Sequence, residues 1–185
     1  MKNKLKYFYS YTPLIIFFIL VLFFARQLIL KEDPSELPSV LIDEKFPSIV
    51  LSELPGYKVF SNKNLINANG PSLVNIWSSW CVPCKIEHEY LMSMSNNNII
   101  IYGINYKDNK EDALKVLELN GNPFYAIGAD QDGMQSINLG VYGVPETFII
   151  DRDGNIRYRH VGPILEYDME KIILPIINKI KQERL

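Results

Sequence analysis

"SSWCVPCKIEHEY", Ser78 to Tyr90, contains both cysteines of the 185-residue chain, Cys81 and Cys84. A bridge between residues three apart closes a tiny loop and restricts little of the unfolded chain, so the pair makes a poor structural staple. A metal clamp and a working redox pair remain. The run before it, "SLVNIWSSW" (72–80), is apolar and β-favouring and stops at Cys81. The run after it predicts a helix. Pro83 sits in its first turn, where no backbone donor is needed, and Val82, Ile86, Tyr90, Leu91 and Met94 recur at helical spacing as its buried face. Cys81 therefore belongs at a strand-to-helix junction.

Outward from this junction, "IIIYGINY" (99–106) predicts a buried strand, "KEDALKVLELNG" (110–121) a helix closed by Gly121, and "PFYAIGAD" (123–130) a further strand. "VPETFIID" (144–151), a two-residue turn at Asp153-Gly154 and "NIRYRHVG" (155–162) predict an antiparallel hairpin. A last helix is expected from Tyr167 to Gln182, kinked at Pro175. Upstream, "FPSIVLSEL" (46–54) suggests an additional first strand. A βαβ half followed by a hairpin and a helix, with C-x-x-C between the first core strand and its helix, is the thioredoxin arrangement. The expected fold class is α/β, a thioredoxin-like central mixed sheet flanked by helices.

Composition bounds the rest. With 48% hydrophobic and 22% charged residues, the chain has apolar material for one compact domain. Lys2, Lys4, Lys6 and Arg26 are the only charges in the first thirty residues, so the remainder is net acidic by about six. That argues against nucleic acid as a partner, which calls for a basic face. "PLIIFFILVLFFARQLIL" (13–30) is long enough for a short membrane helix, with Arg26 near one end where its stem can snorkel. Lysines precede the run and acids follow it, which predicts a cytoplasmic N-terminus and an external domain. The small-residue cleavage pattern of a signal peptide is missing, which favours a retained anchor. "KEDPSELPSVLIDEK" reads as an extended spacer. The expected organisation is thus 1–12 cytoplasmic, 13–30 transmembrane anchor, 31–45 linker and 46–185 thioredoxin-like domain.

"NIWSSWCVPC" (75–84) resembles the active-site strand and turn of thioredoxins, and "GVPETFIIDRDGNIRYRHVG" (143–162) is similar to the segment that carries their cis-proline. Together with "INYKD" (104–108) and the anchor, the chain resembles the membrane-tethered thiol:disulfide interchange proteins of cytochrome c maturation, the CcmG/DsbE family. The resemblance implies a protein-disulfide reductase in the bacterial inner membrane with its domain in the periplasm. Its implied substrate is apocytochrome c or the thiol protein that carries it, and its implied electron donor a membrane thiol reductase of the DsbD/CcdA type. No cofactor and no metal are implied.

Exchange needs a thiolate, and the unpaired amides at a helix start favour one, so Cys81 is expected to attack, exposed to solvent, while a more enclosed Cys84 resolves. Thioredoxins place a proton-accepting Asp six residues before the first cysteine; here Asn75 stands there. Glu87, three residues after Cys84, and Glu146, next to Pro145, are the carboxylates expected to take over and to oppose thiolate formation, which leans towards a reductant. The resemblance implies a cis bond at Val144-Pro145, with Val144 backbone open to an extended substrate and Trp80 offering it a surface. The rival readings are a copper-binding thioredoxin-like metallochaperone using Cys81, Cys84 and His160, and a general periplasmic thiol reductase. A zinc module is disfavoured because His88 and His160 stand too far apart in sequence for a compact site, and a peroxidase because "SSWCVPC" offers no anion-polarising arginine. Both histidines also have ordinary readings, on a helix face and on a strand.

Overall fold

The computed structural model describes residues 2–30, 41–66 and 70–183. It divides into two units, residues 1–38 and 39–185.

The first unit is a helix, α1 (Lys2–Leu30), whose side chains are described for residues 11–26. Its large apolar side chains from Leu14 to Phe24 are exposed. Among the described residues, no helix is long and apolar enough to cross a membrane. Most of the expected linker, residues 31–40, lies outside the described residues.

In the second unit, α2 (Asn62–Ile66) precedes β1 (Ser72–Trp77), α3 (Val82–Asn96), β2 (Ile100–Tyr106), α4 (Lys110–Asn120), β3 (Ala126–Asp130), α5 (Met134–Asn138), β4 (Glu146–Ile150) and β5 (Ile156–Val161). The C-terminal helix opens with α6 (Glu166–Asp168), continues as a π-helical turn (Met169–Ile173) and ends as α7 (Leu174–Gln182). Pro175 has no N–H to return to the preceding turn, and the widened π turn lies directly ahead of it, where a simple kink was expected.

The sheet order is β3-β2-β1-β4-β5. β1, β2 and β3 run parallel, whereas β4 and β5 are antiparallel to their neighbours. β1 is buried along its whole length, which is why it reads as an unbroken apolar run rather than an alternation. Alternation still sorts its side chains between two cores. Leu73 and Trp77 join Leu91 and Met94 of α3, Leu117 of α4 and Ile177 of α7 on one face. Val74 and Ile76 join Phe148, Phe46, Phe60 and Leu65 on the other.

"FPSIVLSEL" forms no strand. It runs as an extended strap over the second face, where it buries Phe46 and Ile49, and meets the sheet edge through a bridge between Ser52 and Ala129; Leu54, beyond the bridge, is buried in the core of the first face. Gly128 makes the approach possible, since a Cβ there would fall 2.5 Å from Leu51 Cβ. The end of the expected linker is bound to the domain as well. Asp43 N–H donates to Ile156 O, Ile156 N–H to Glu44 O, and Phe46 N–H to Gly154 O at the hairpin turn. That turn spans 151–155 rather than two residues, with the Asp151 carboxylate accepting from the N–H groups of Asp153 and Asn155.

Candidate active site

Cys81 is the N-cap of α3, and the helix start brings the Cys84 N–H to 3.1 Å from Cys81 Sγ. An amide aimed at this sulfur is what a thiolate at position 81 would use. The two sulfurs are joined as a disulfide. The expected difference in exposure is absent: Cys81 is 3% exposed and Cys84 6%. The Val144 carbonyl lies 3.5 Å from Cys81 Sγ and covers one side of it. A bridged sulfur carries no proton, so this is a contact in the disulfide and becomes an acceptor once the thiol is released. Position on the helix, not depth, distinguishes the two cysteines.

Behind them lies a buried carboxylate. Asn75 on β1 stands opposite Thr147 on β4 and donates through Nδ2 to Thr147 Oγ1 at 3.0 Å and to Glu87 Oε1 at 2.9 Å. Glu87 Oε2 accepts the N–H of Ile164 at 3.0 Å. Glu87 is fully buried, one turn beyond Cys84 on the face that also carries Leu91 and Met94. Burial pushes its carboxyl up to about 7, against the opposing pull of the hydrogen bonds from Ile164 and Asn75. Val82 and Ile86, expected to be buried on α3, are 64% and 52% exposed, because the face that packs is the one bearing Cys84 and Glu87.

Glu146 does not join this group. Phe148 and Ile150 place the even-numbered side chains of β4 on the strap side of the sheet, whereas Thr147 and Ile149 face Asn75 and α3. Glu146 is correspondingly committed elsewhere. Its Oε2 pairs with Arg159 Nε at 2.7 Å, and its Oε1 accepts from Tyr142 N–H at 3.1 Å. Arg159 also donates to Gly140 O and lies over the Tyr142 ring. The charge meant to oppose the thiolate is thus neutralised in place and holds the loop that leads into Pro145.

The Val144-Pro145 peptide is cis, as the resemblance implies. Pro145 O accepts Gly162 N–H. Trp80 is 56% exposed beside the disulfide, and its Nε1 donates to Lys107 O at 3.1 Å. His88 contacts Gly121 O and His160 contacts Pro163 O. Among the described residues, no group of three or more His, Cys, Asp or Glu side chains is placed to hold a metal ion, so the copper set of Cys81, Cys84 and His160 is not assembled.

Two residues that sequence reasoning passed over belong to the neighbourhood. Arg159 is one, hidden in a strand written "RYRH". Asp108 is the other, with both of its oxygens bound by Ser79. The signal for Asp108 was the acid that closes "INYKD", two residues beyond a buried strand.

The Redoxin family model matches residues 42–173. The thiol:disulfide interchange protein DsbE of Yersinia pestis is 41% identical over 182 residues, covering 96% of this chain and 94% of that protein. Its namesake in Escherichia coli K12 is 38% identical over 174 residues, 92% and 94% of the two chains. The solved thioredoxin domain of a thiol-disulfide oxidoreductase from Bacteroides vulgatus superposes with a TM-score of 0.62 at 20% identity, covering 76% of this chain and all of that one, and supports the fold alone. With a redoxin domain, a bridged Cys81–Cys84 pair at the head of α3 and relatives of this closeness over nearly its full length, the chain belongs to the DsbE family of thiol:disulfide interchange proteins.

Proposed function

We propose that this protein is the reductant of a cytochrome c maturation system, anchored in the inner membrane by residues 13–30 and working in the periplasm on the disulfide of apocytochrome c or of its thiol carrier. The observation that carries the direction of electron flow is Glu87, a carboxylate sealed one turn from Cys84 and paired only with neutral donors. Ionised, it opposes a second negative charge on the cysteines and so favours the disulfide over the dithiolate, which makes the dithiol a willing donor. Support for the anchor comes from the apolar run and from the exposed side chains between Leu14 and Phe24. The domain division at 13–30, 31–45 and 46–185 belongs to the same proposal.

The exchange runs in two displacements. The Cys81 thiolate attacks one sulfur of the partner disulfide, whose S–S bond breaks as a mixed disulfide forms and the departing partner thiolate takes up a proton. Cys84 gives its proton to Glu87 and attacks Cys81 Sγ, which releases the second partner sulfur and closes the Cys81–Cys84 bridge. Two electrons have then passed to the partner, and a membrane thiol reductase of the DsbD/CcdA type restores the dithiol. Val144 backbone and the Trp80 ring receive the partner segment in this scheme, with Pro145 shaping the loop.

A redox titration of the full chain against a thiol buffer tests the direction. The expected potential is about −200 mV or lower, and a value near the roughly −120 mV of strong oxidants reverses the proposed flow.

A further inference from the structure

We propose that Asp108 is a positioning residue for disulfide exchange, a clamp that fixes the turn carrying Cys81 from the neighbouring loop. β1 and β2 are parallel, with Trp77 beside Asn105, so the segments leaving their C-terminal ends emerge side by side. Asp108, 8% exposed, lies on the second of these. Its Oδ2 accepts the Ser79 N–H at 2.6 Å and Asn105 Nδ2 at 2.8 Å; its Oδ1 accepts the Ser79 hydroxyl at 2.6 Å and the Asn109 N–H at 2.9 Å. Four donors fill a carboxylate, and bonds of this charged kind are about twice as strong as neutral ones.

A second tie lies next to it. Lys107 adopts φ 44°, a left-handed conformation disfavoured for a residue with a Cβ, and its N–H donates to Asp130 O. In that conformation its carbonyl meets Trp80 Nε1. Local strain of this sort persists only where surrounding bonds over-determine it, and it clusters at working sites. Residues 79 and 80 are therefore both held from the β2 loop, immediately ahead of Cys81, whose own N–H returns to Ser78 O. None of these bonds reaches a sulfur. Their effect is to hold Cys81 at the N-cap, where the Cys84 N–H points at it.

The inference rests on Cys81 being the attacking thiol, and the test separates the two. Cys84→Ser is built into the full chain so that only Cys81 reports, and the rate of iodoacetamide alkylation is followed against pH. With Asp108 present the midpoint is expected below the roughly 8.5 of a free cysteine. A midpoint at or above that overturns the attacking-thiol reading and this inference with it. In Asp108→Asn the clamp slackens and the sulfur loses its amide, so the midpoint should rise by about half to one pH unit, the net worth of one hydrogen bond. Mere deletion of a nearby negative charge would lower it. A lowered or unchanged midpoint, with Cys81 still acidic in the parent, overturns the clamp alone. Ser79→Ala removes one donor without touching charge and should shift the midpoint upward by less. If Asp108→Asn does not fold, an unchanged midpoint in Ser79→Ala overturns the clamp.

Discussion

Glu146 and Arg159 close on each other at 2.7 Å across neighbouring strands, on the face of the sheet turned away from Asn75 and Glu87. Two carboxylates that look equivalent in the sequence, Glu87 after the cysteines and Glu146 after Pro145, are thereby divided. Glu87 is left to titrate near the sulfurs, and Glu146 is spent on holding a loop.

The division reverses the expectation for Glu146→Gln. Had Glu146 faced the thiols, removing its charge would lower the alkylation midpoint of Cys81. Placed as it is, the variant should leave that midpoint where it stands and instead destabilise the fold by about 3 kcal/mol, the low end of what breaking a buried ion pair costs. Alkylation and denaturant unfolding on the same sample check both halves.

Glu87 makes stability depend on pH. Its carboxyl is raised from the usual 4.5 to about 7 in the fold, so between these values the native state holds a proton that the unfolded chain has released. Its burial costs no charge below about pH 4.5, and the penalty grows as pH rises to 7, reaching about 3 kcal/mol above it. Denaturant unfolding of the oxidised protein should therefore show stability falling between pH 5 and 8. In Glu87→Gln the curve should lose that slope.

The order of attack proposed for Cys81, the N-cap of α3, is tested by trapping. Cys84→Ser should accumulate a mixed disulfide with a partner and Cys81→Ser should not, as read on non-reducing gels. Equal trapping by both would remove the distinction between the two sulfurs.

Trp80 donates its Nε1–H to Lys107 O and stands beside the bridge with more than half its surface exposed. Trp80→Ala should keep the fold and the reaction with dithiothreitol while lowering kcat/KM for a protein disulfide about tenfold, near 1.4 kcal/mol of lost partner contact. Equal losses with dithiothreitol and with the protein disulfide would point to damage at the sulfurs instead.

The strands and helices around Cys81 were legible because each carries its own signal: an apolar run for β1, Pro83 in the first turn of α3, Gly121 after α4. The C-x-x-C at the junction and the proline after Val144 were legible for the same reason. What escaped is whatever depends on partners distant in sequence. Glu87 is buried because Asn75 and the Ile164 N–H receive it, and nothing in "KIEHEY" announces either. Val82 and Ile86 sit at helical spacing with Tyr90, but so does the competing face of Cys84, Glu87, Leu91 and Met94; tertiary packing chose the latter. The strap from Phe46 to Leu54 reads as a strand because it is extended and apolar, yet it bridges the sheet only at Ser52.

The hydrogen bonds from Asp43 and Phe46 to the hairpin fix where the chain enters the domain. In β1 the hairpin end is marked by Ser72, which stands opposite Ile150, and the disulfide end by Trp77. Five extended steps put these ends roughly 17 Å apart. The segment from Asp43 to Phe46 is thus fastened at the pole remote from the sulfurs, so a pull on it bears on the hairpin and not on the turn that carries Cys81.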